Sequence, residues 1–146
     1  MRVLADTGPL VAAANPRDEA HPLATELVTE LGRELTVLEP VVVETDHLLR
    51  GRVGSPAARA FLRSLVSGEH EVAFLTPALL RRAAEFDSRY ADLDLGVTDA
   101  SIMAFAERHR VPILTFDFEH FRATRPTRGF WRLVIDEGRY EAEVGR

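Results

Sequence analysis

Neither cysteine nor lysine occurs anywhere in the sequence. The lack of cysteine excludes zinc fingers, thiol catalysis and disulfide frameworks, and it fits a cytoplasmic protein. The lack of lysine excludes a response-regulator receiver, an α/β protein that also gathers aspartates at strand ends but needs a late lysine. A haloacid-dehalogenase-like phosphatase is excluded too: it needs Asp-x-Asp after the first strand, and Gly8 stands two residues after Asp6. There is no G-x-S-x-G elbow and no H-E-x-x-H motif. No apolar run approaches the ~18 residues that span a bilayer. The opening MRVLADTGPL lacks the basic stretch and long apolar run of a signal peptide. A soluble, intracellular protein is the expectation.

What is present suits one domain over residues 1–146, with a core at about 2–136 and a polar tail at 137–146 expected to fray. The net charge of −5 and pI near 5.5 are unlike a typical nucleic-acid binder. A carboxylate cluster that holds a divalent cation gives the same imbalance. All eighteen basic residues are arginine, the better bidentate phosphate ligand, although a GC-rich genome explains the bias as well.

Apolar runs alternate with amphipathic stretches, which predicts βαβ units, a mostly parallel sheet and an α/β/α sandwich. Strands are expected at 2–5, 35–38, 72–75, 111–115 and 131–135. Helices are expected from about Pro9, at 18–31 stopped by Gly32, at 40–52, at 55–66 capped by Ser55, at 77–90 and at 98–109. Residues 117–121 read as a short turn. In such a sheet the site lies at the carboxyl ends of the strands, where the strand order reverses.

Four acids stand where chemistry explains them. Asp6 directly follows the first strand, and Asp117 directly follows the fourth in VPILTFD. Glu44 lies three residues after Val41 and four before Leu48, on the apolar face of its helix, whereas Asp46 points to solvent. Asp99 stands three before Ile102 and four before Met103, on the core side of its helix. Carboxylates on an inward face must be paired, protonated or metal-bound. If the four converge, Mg²⁺ or Mn²⁺ resolves their repulsion, since both prefer carboxylate oxygens.

Each acid also has a purely structural alternative. Asp6 can cap the helix near Pro9. Asp99 can face the positive end of its own helix with Thr98 as cap. Asp117 can cap the DFEHF turn, and Glu44 can pair with a buried arginine. Asp92 and Asp94 read as loop or cap residues. His47 and His120 each follow an acid by three residues but read as surface or packing histidines, and neither is taken as a ligand.

VLADTGPLVAAA resembles the opening of PIN-domain proteins: an apolar strand, an aspartate, a hydroxyl residue, then a helix of small residues. PVVVETDHLL resembles the second block of that family, matching Glu44, and DLDLGVTDASIMAFAERHRVPILTFDFEHF its third and fourth, matching Asp99 and Asp117. The overall pattern, from Val3 to about Ile135, is similar to VapC toxins, the nuclease half of VapBC toxin–antitoxin pairs.

The resemblance implies a PIN-like fold with a five-stranded parallel sheet in the order 3-2-1-4-5. It implies a metal-dependent endoribonuclease that cleaves structured RNA such as tRNA or rRNA, with Mg²⁺ or Mn²⁺ as cofactor. A homodimer inhibited by a cognate VapB-like antitoxin follows from it as well. A non-toxin PIN protein of RNA processing, or one that only binds, is the alternative. Asp6, Glu44, Asp99 and Asp117 carry over as catalytic and metal-binding residues, and Thr7 and Thr115 match supporting hydroxyls. Thr98 departs from the pattern, where a small apolar residue is common, as does the lack of a basic residue directly after Asp117. Arg50 and Arg52 after the Glu44 helix, and Arg122, Arg125 and Arg128 after Asp117, are candidates for RNA phosphates, with ordinary surface arginine as the alternative.

Overall fold

A computed structural model of the chain describes residues 2–145. Met1 and Arg146, the first and last residues of the expected domain, lie outside the described residues. The strands are β1 (Val3–Ala5), β2 (Leu35–Leu38), β3 (Glu71–Ala73) and β4 (Ile113–Leu114), all parallel, in the order β3-β2-β1-β4. Every residue of β1, β2 and β4 is buried. Strands buried at every position require cover on both faces, which gives three layers. β1 pairs Val3 with Leu35 on one side and Leu4 with Ile113 on the other. The order therefore reverses beside β1, and the carboxyl ends of β1 and β4 open next to each other.

The helices are α1 (Thr7–Ala14), α2 (His21–Leu31), α3 (Glu39–Arg52), α4 (Ser55–Val66), α5 (Pro77–Arg89), α6 (Gly96–His109), α7 (Phe118–Ala123) and α8 (Glu137–Val144). Proline sits at the first or second position of α2, α3, α4 and α5, where its missing N–H costs nothing. Gly32 ends α2 at φ 49°, a left-handed geometry open to glycine. One core joins the elements through fully buried Leu4, Leu35, Leu38, Leu49, Phe86, Ile102, Met103 and Ile113. Among the described residues no helix is long and apolar enough to cross a membrane.

The structure corrects several expectations. The fifth strand shrinks to one parallel bridge, Ile113 to Leu133, held by Ile113 N–H to Arg132 C=O (2.8 Å) and Val134 N–H to Ile113 C=O (3.0 Å). No further ladder bond joins the two segments among the described residues. The helix expected from Asp18 begins at His21, because Asp18 spends its carboxylate on the Ala20 N–H in a turn. Gly54, at φ 138°, precedes α4 in place of the expected Ser55 cap. α6 starts at Gly96, so Thr98 lies inside it. The 117–121 turn is the helix α7.

The tail expected to fray forms α8 over Glu137–Val144. Asp136 caps it by accepting from Arg139 N–H at 2.8 Å. Tyr140 packs on the rings of Phe116 and Phe118, with centroids 4.9 and 5.6 Å away, and Val144 rests on the small cluster of Ala12, Ala20 and Ala24. Two anchors spaced four residues apart hold an otherwise polar helix.

Candidate metal centre

The four acids are brought to the carboxyl ends of β1 and β4 and belong to one hydrogen-bonded chain. Asp6 leaves β1 as the N-cap of α1: Oδ1 accepts from Thr7 N–H at 2.7 Å, and Oδ2 from the Thr115 hydroxyl at 2.7 Å. The Thr7 hydroxyl donates in turn to Glu44 Oε2 at 2.7 Å, tying α1 to α3. On the other side the Thr115 hydroxyl accepts from Asp117 N–H at 2.9 Å. Asp117 caps α7, with Oδ1 accepting from His120 N–H at 3.2 Å. His120 Nδ1 lies 2.9 Å from Asp117 Oδ2 and 3.2 Å from Asp99 Oδ2, which closes the chain.

Two of the capping alternatives thus hold together with the convergence. Asp6 and Asp117 each cap a helix with one oxygen and face their neighbours with the other. Asp99 lies in the first turn of α6, and Thr98 does not cap it. The expected alternative for Glu44, a buried arginine, is replaced by the Thr7 hydroxyl. Among the described residues no arginine forms an ion pair with Asp6, Glu44, Asp99 or Asp117; the basic side chain within ion-pair distance of Asp99 and Asp117 is His120.

The electrostatics are those of acids in excess. Asp6 is 6% exposed. Burial pushes its carboxyl above the ordinary range, the bonds from Thr115 and Thr7 oppose this, and the charges of Asp117 and Glu44 push it further up. Burial likewise drives Asp99 up to about 7; Asp6, Asp117 and Glu44 add to the rise and His120 counters it.

One ligand atom each from Asp99, Asp117 and His120 lies within 4.8 Å of the others. A hard divalent cation fits this set: two carboxylates, one imidazole nitrogen, and a buried third carboxyl nearby, Asp6, that lacks a compensating arginine. Asp6 meets this group through Thr115, and Glu44 meets it through Thr7 and Asp6. His120 is the member that sequence reasoning set aside. Its signal was the D-x-x-H spacing between two buried phenylalanines, Phe118 and Phe121, which fixes α7 and turns His120 toward Asp117. His47 is exposed.

The arginines expected at RNA divide. Arg50 is held by Asp46 through two bonds of 3.0 Å, and Arg122 by Glu137 at 2.7 Å, so both guanidiniums are already engaged. Arg52, Arg125 and Arg128 are exposed.

A family model described as PIN domain matches residues 3–125. Ribonuclease VapC26 of Mycobacterium tuberculosis is 35% identical over 128 residues, 87% of this chain and 95% of the relative. Among solved structures, VapC20 of Mycobacterium tuberculosis, described as a sarcin–ricin loop cleaving toxin, is similar with a TM-score of 0.77. It shares 25% identity and covers 90% of this chain and 98% of its own. VapBC2 of Rickettsia felis, bound to a promoter DNA fragment, is similar in fold at a TM-score of 0.63 and 15% identity, over 84% of this chain and 92% of that one.

Proposed function

The chain belongs to the PIN-domain family, and on that premise we propose that it is a divalent-metal-dependent endoribonuclease, the toxin of a type II toxin–antitoxin pair acting in the cytoplasm on structured RNA. One observation carries the reading: four carboxylates on a single hydrogen-bonded chain at the carboxyl ends of β1 and β4, with no arginine among the described residues to neutralise them. The 35% identity to a ribonuclease supports the reaction class. The likeness to a sarcin–ricin loop cleaving toxin supports ribosomal RNA as substrate. The likeness to VapBC complexes supports an antitoxin partner.

In this reading Asp6, Asp99 and Asp117, with His120 beside them, hold Mg²⁺ or Mn²⁺. A bound cation of this kind supplies Lewis-acid stabilisation of charge on the phosphodiester and lowers the pKa of water. The rest falls to the chain itself. Thr7 and Thr115 fix two of the carboxylates, Asp6 and Glu44, through short hydrogen bonds, and Thr115 accepts from the backbone of a third acid, Asp117, so the site is set before substrate arrives. Asp6 keeps both oxygens aimed by two donors at 2.7 Å. Glu44, half-buried and held by one bond from Thr7, orients the attacking water and takes its proton. The water oxygen bonds to phosphorus, the bond from phosphorus to the leaving ribose oxygen breaks, and that oxygen takes a proton from solvent.

The test is induced expression of wild type and Asp6→Asn in a bacterium, with growth followed and new RNA 5′ ends mapped. Arrest with discrete new ends in the wild type alone is expected. Soluble wild-type protein with neither arrest nor new ends contradicts the toxin reading and favours a PIN protein that processes other RNA or only binds.

A further inference from the structure

At the amino end of β4, away from the acids that follow its carboxyl end, lies a groove of about 670 Å³ lined by Arg110, Arg128, Arg132, Phe130, Trp131 and Glu107, among others. Its charge is opposite to that of the chain. The guanidiniums of Arg110 and Arg128 make no ion pair among the described residues, and Arg132 donates one N–H to the Arg110 carbonyl. The groove's one carboxylate is already taken. Glu107 accepts from Arg82 Nε at 2.8 Å, from Thr127 N–H at 2.7 Å and from the Thr127 hydroxyl at 3.0 Å. The Arg82 bond holds it below the usual carboxylate range, hence ionised and neutralised in place.

Phe130 is 78% exposed at the rim, with the Arg125 guanidinium 5.9 Å from its ring centroid. Trp131 is the fixed wall. Its indole N–H donates to the Thr124 hydroxyl at 3.0 Å, and Phe121 meets its ring edge-on at 6.2 Å. Trp131 also lines a second cavity of about 360 Å³, shared with Phe118 and Phe121 of α7, the helix that Asp117 caps. Trp131 thus joins the arginine groove to the cavity beside α7. Asp99 in the first turn of α6 and Arg110 just beyond its end are about 16 Å apart along the axis, the reach of a few nucleotides.

We propose that this groove binds a single-stranded stretch of RNA continuous with the segment at the acidic site. Phe130 stacks on an unpaired base, and Arg110, Arg128 and Arg132 contact phosphates. An exposed ring set among guanidiniums serves both halves of a nucleotide, the flat base and the charged backbone. A duplex keeps its bases stacked and offers the ring nothing. The proposal rests on the ribonuclease reading and extends it from the cleavage site to the substrate's flank.

The test measures anisotropy of fluorescein-labelled oligouridine, and of an RNA duplex of equal length, with Asp6→Asn protein so that the probe stays intact. Cleavage of total RNA by the wild type is followed in parallel. In the Asp6→Asn background Phe130→Ala weakens oligouridine binding about tenfold or more, the scale of one stacked base. Arg128→Ala lowers the slope of log affinity against log salt by about 0.7, one phosphate contact on a single strand. The duplex binds more weakly than oligouridine. Both substituted side chains are exposed, so thermal melting stays unchanged and excludes misfolding as the cause. If the wild type cleaves RNA while Phe130→Ala and Arg128→Ala bind oligouridine like their parent, the groove proposal is overturned alone and a protein partner becomes its occupant. If the wild type cleaves nothing and Asp6→Asn binds neither probe, both readings fall together.

Discussion

The Thr115 hydroxyl donates to Asp6 Oδ2 at 2.7 Å, joining residues 109 positions apart in the sequence. The same oxygen accepts from the Asp117 N–H, so one side chain aims the carboxylate after β1 and fixes the turn after β4. Thr115→Val keeps the shape and removes both bonds, leaving a buried carboxylate oxygen short of a donor. A loss of about 1–3 kcal/mol is expected, read as a lower melting temperature, with Thr115→Ser restoring most of it. Cleavage falls with it, because Asp6 loses its aim.

Asp6→Asn separates fold from function. The uncharged amide keeps one acceptor oxygen for the Thr7 N–H, turns its NH2 toward the Thr115 oxygen, and removes the charge that burial and its neighbours disfavour. Without metal the variant melts a few degrees above the wild type, the effect of about 1 kcal/mol in a domain of this size. Cleavage drops by at least about 100-fold, the scale on which loss of one charge-stabilising group acts. Calorimetry and a gel assay on the same preparations check both halves.

The pH dependence follows from Asp99. Its folded pKa of about 7 lies above the ordinary 3.8, so between these values the folded state holds a proton that the unfolded chain releases. This contribution is fully present at low pH and is lost as pH rises through about 7. Metal-free wild type therefore loses stability between about pH 4 and 7 more steeply than Asp99→Asn, in thermal melts across that range. Mg²⁺ takes the proton's place and flattens the wild-type curve, and its own affinity weakens below about pH 7.

His120 lies against both Asp99 and Asp117, so its loss is expected to reach metal binding before it reaches the fold. His120→Ala lowers Mn²⁺ affinity by about 10–100-fold, the range for removing a group that orients ligands. Titration calorimetry with Mn²⁺ reads this directly. Unchanged affinity would place His120 outside the metal's reach.

How much of this was legible in the sequence follows from where each signal lives. β2 and α4 sit where the apolar runs and the proline put them, because those signals are local. Asp6 and Asp117 stood out because each directly follows an apolar strand, and Glu44 because it shares a stripe with Val41. The fifth strand was overread: Trp131 to Ile135 is apolar enough for a strand, but its partner β4 is only two residues long and meets it through a single bridge, Ile113 to Leu133. α8 was underread, since its support is tertiary, from Phe116 and Phe118 to Tyr140. Arg50 and Arg122 were read by proximity, yet their carboxylate partners claim them. His120 was missed because a lone histidine on a short turn is ordinary until the turn proves to be a helix packed beside Asp99.

The central claim is that these acids cut RNA with a divalent cation, and purified protein tests it most directly. Wild type and Asp6→Asn are incubated with total bacterial RNA in Mg²⁺, in Mn²⁺ and in excess EDTA, and new ends are mapped. Discrete ends in wild type with metal, absent with EDTA and absent in Asp6→Asn, are predicted. Equal cleavage by wild type and Asp6→Asn, or cleavage undiminished by EDTA, would contradict the account.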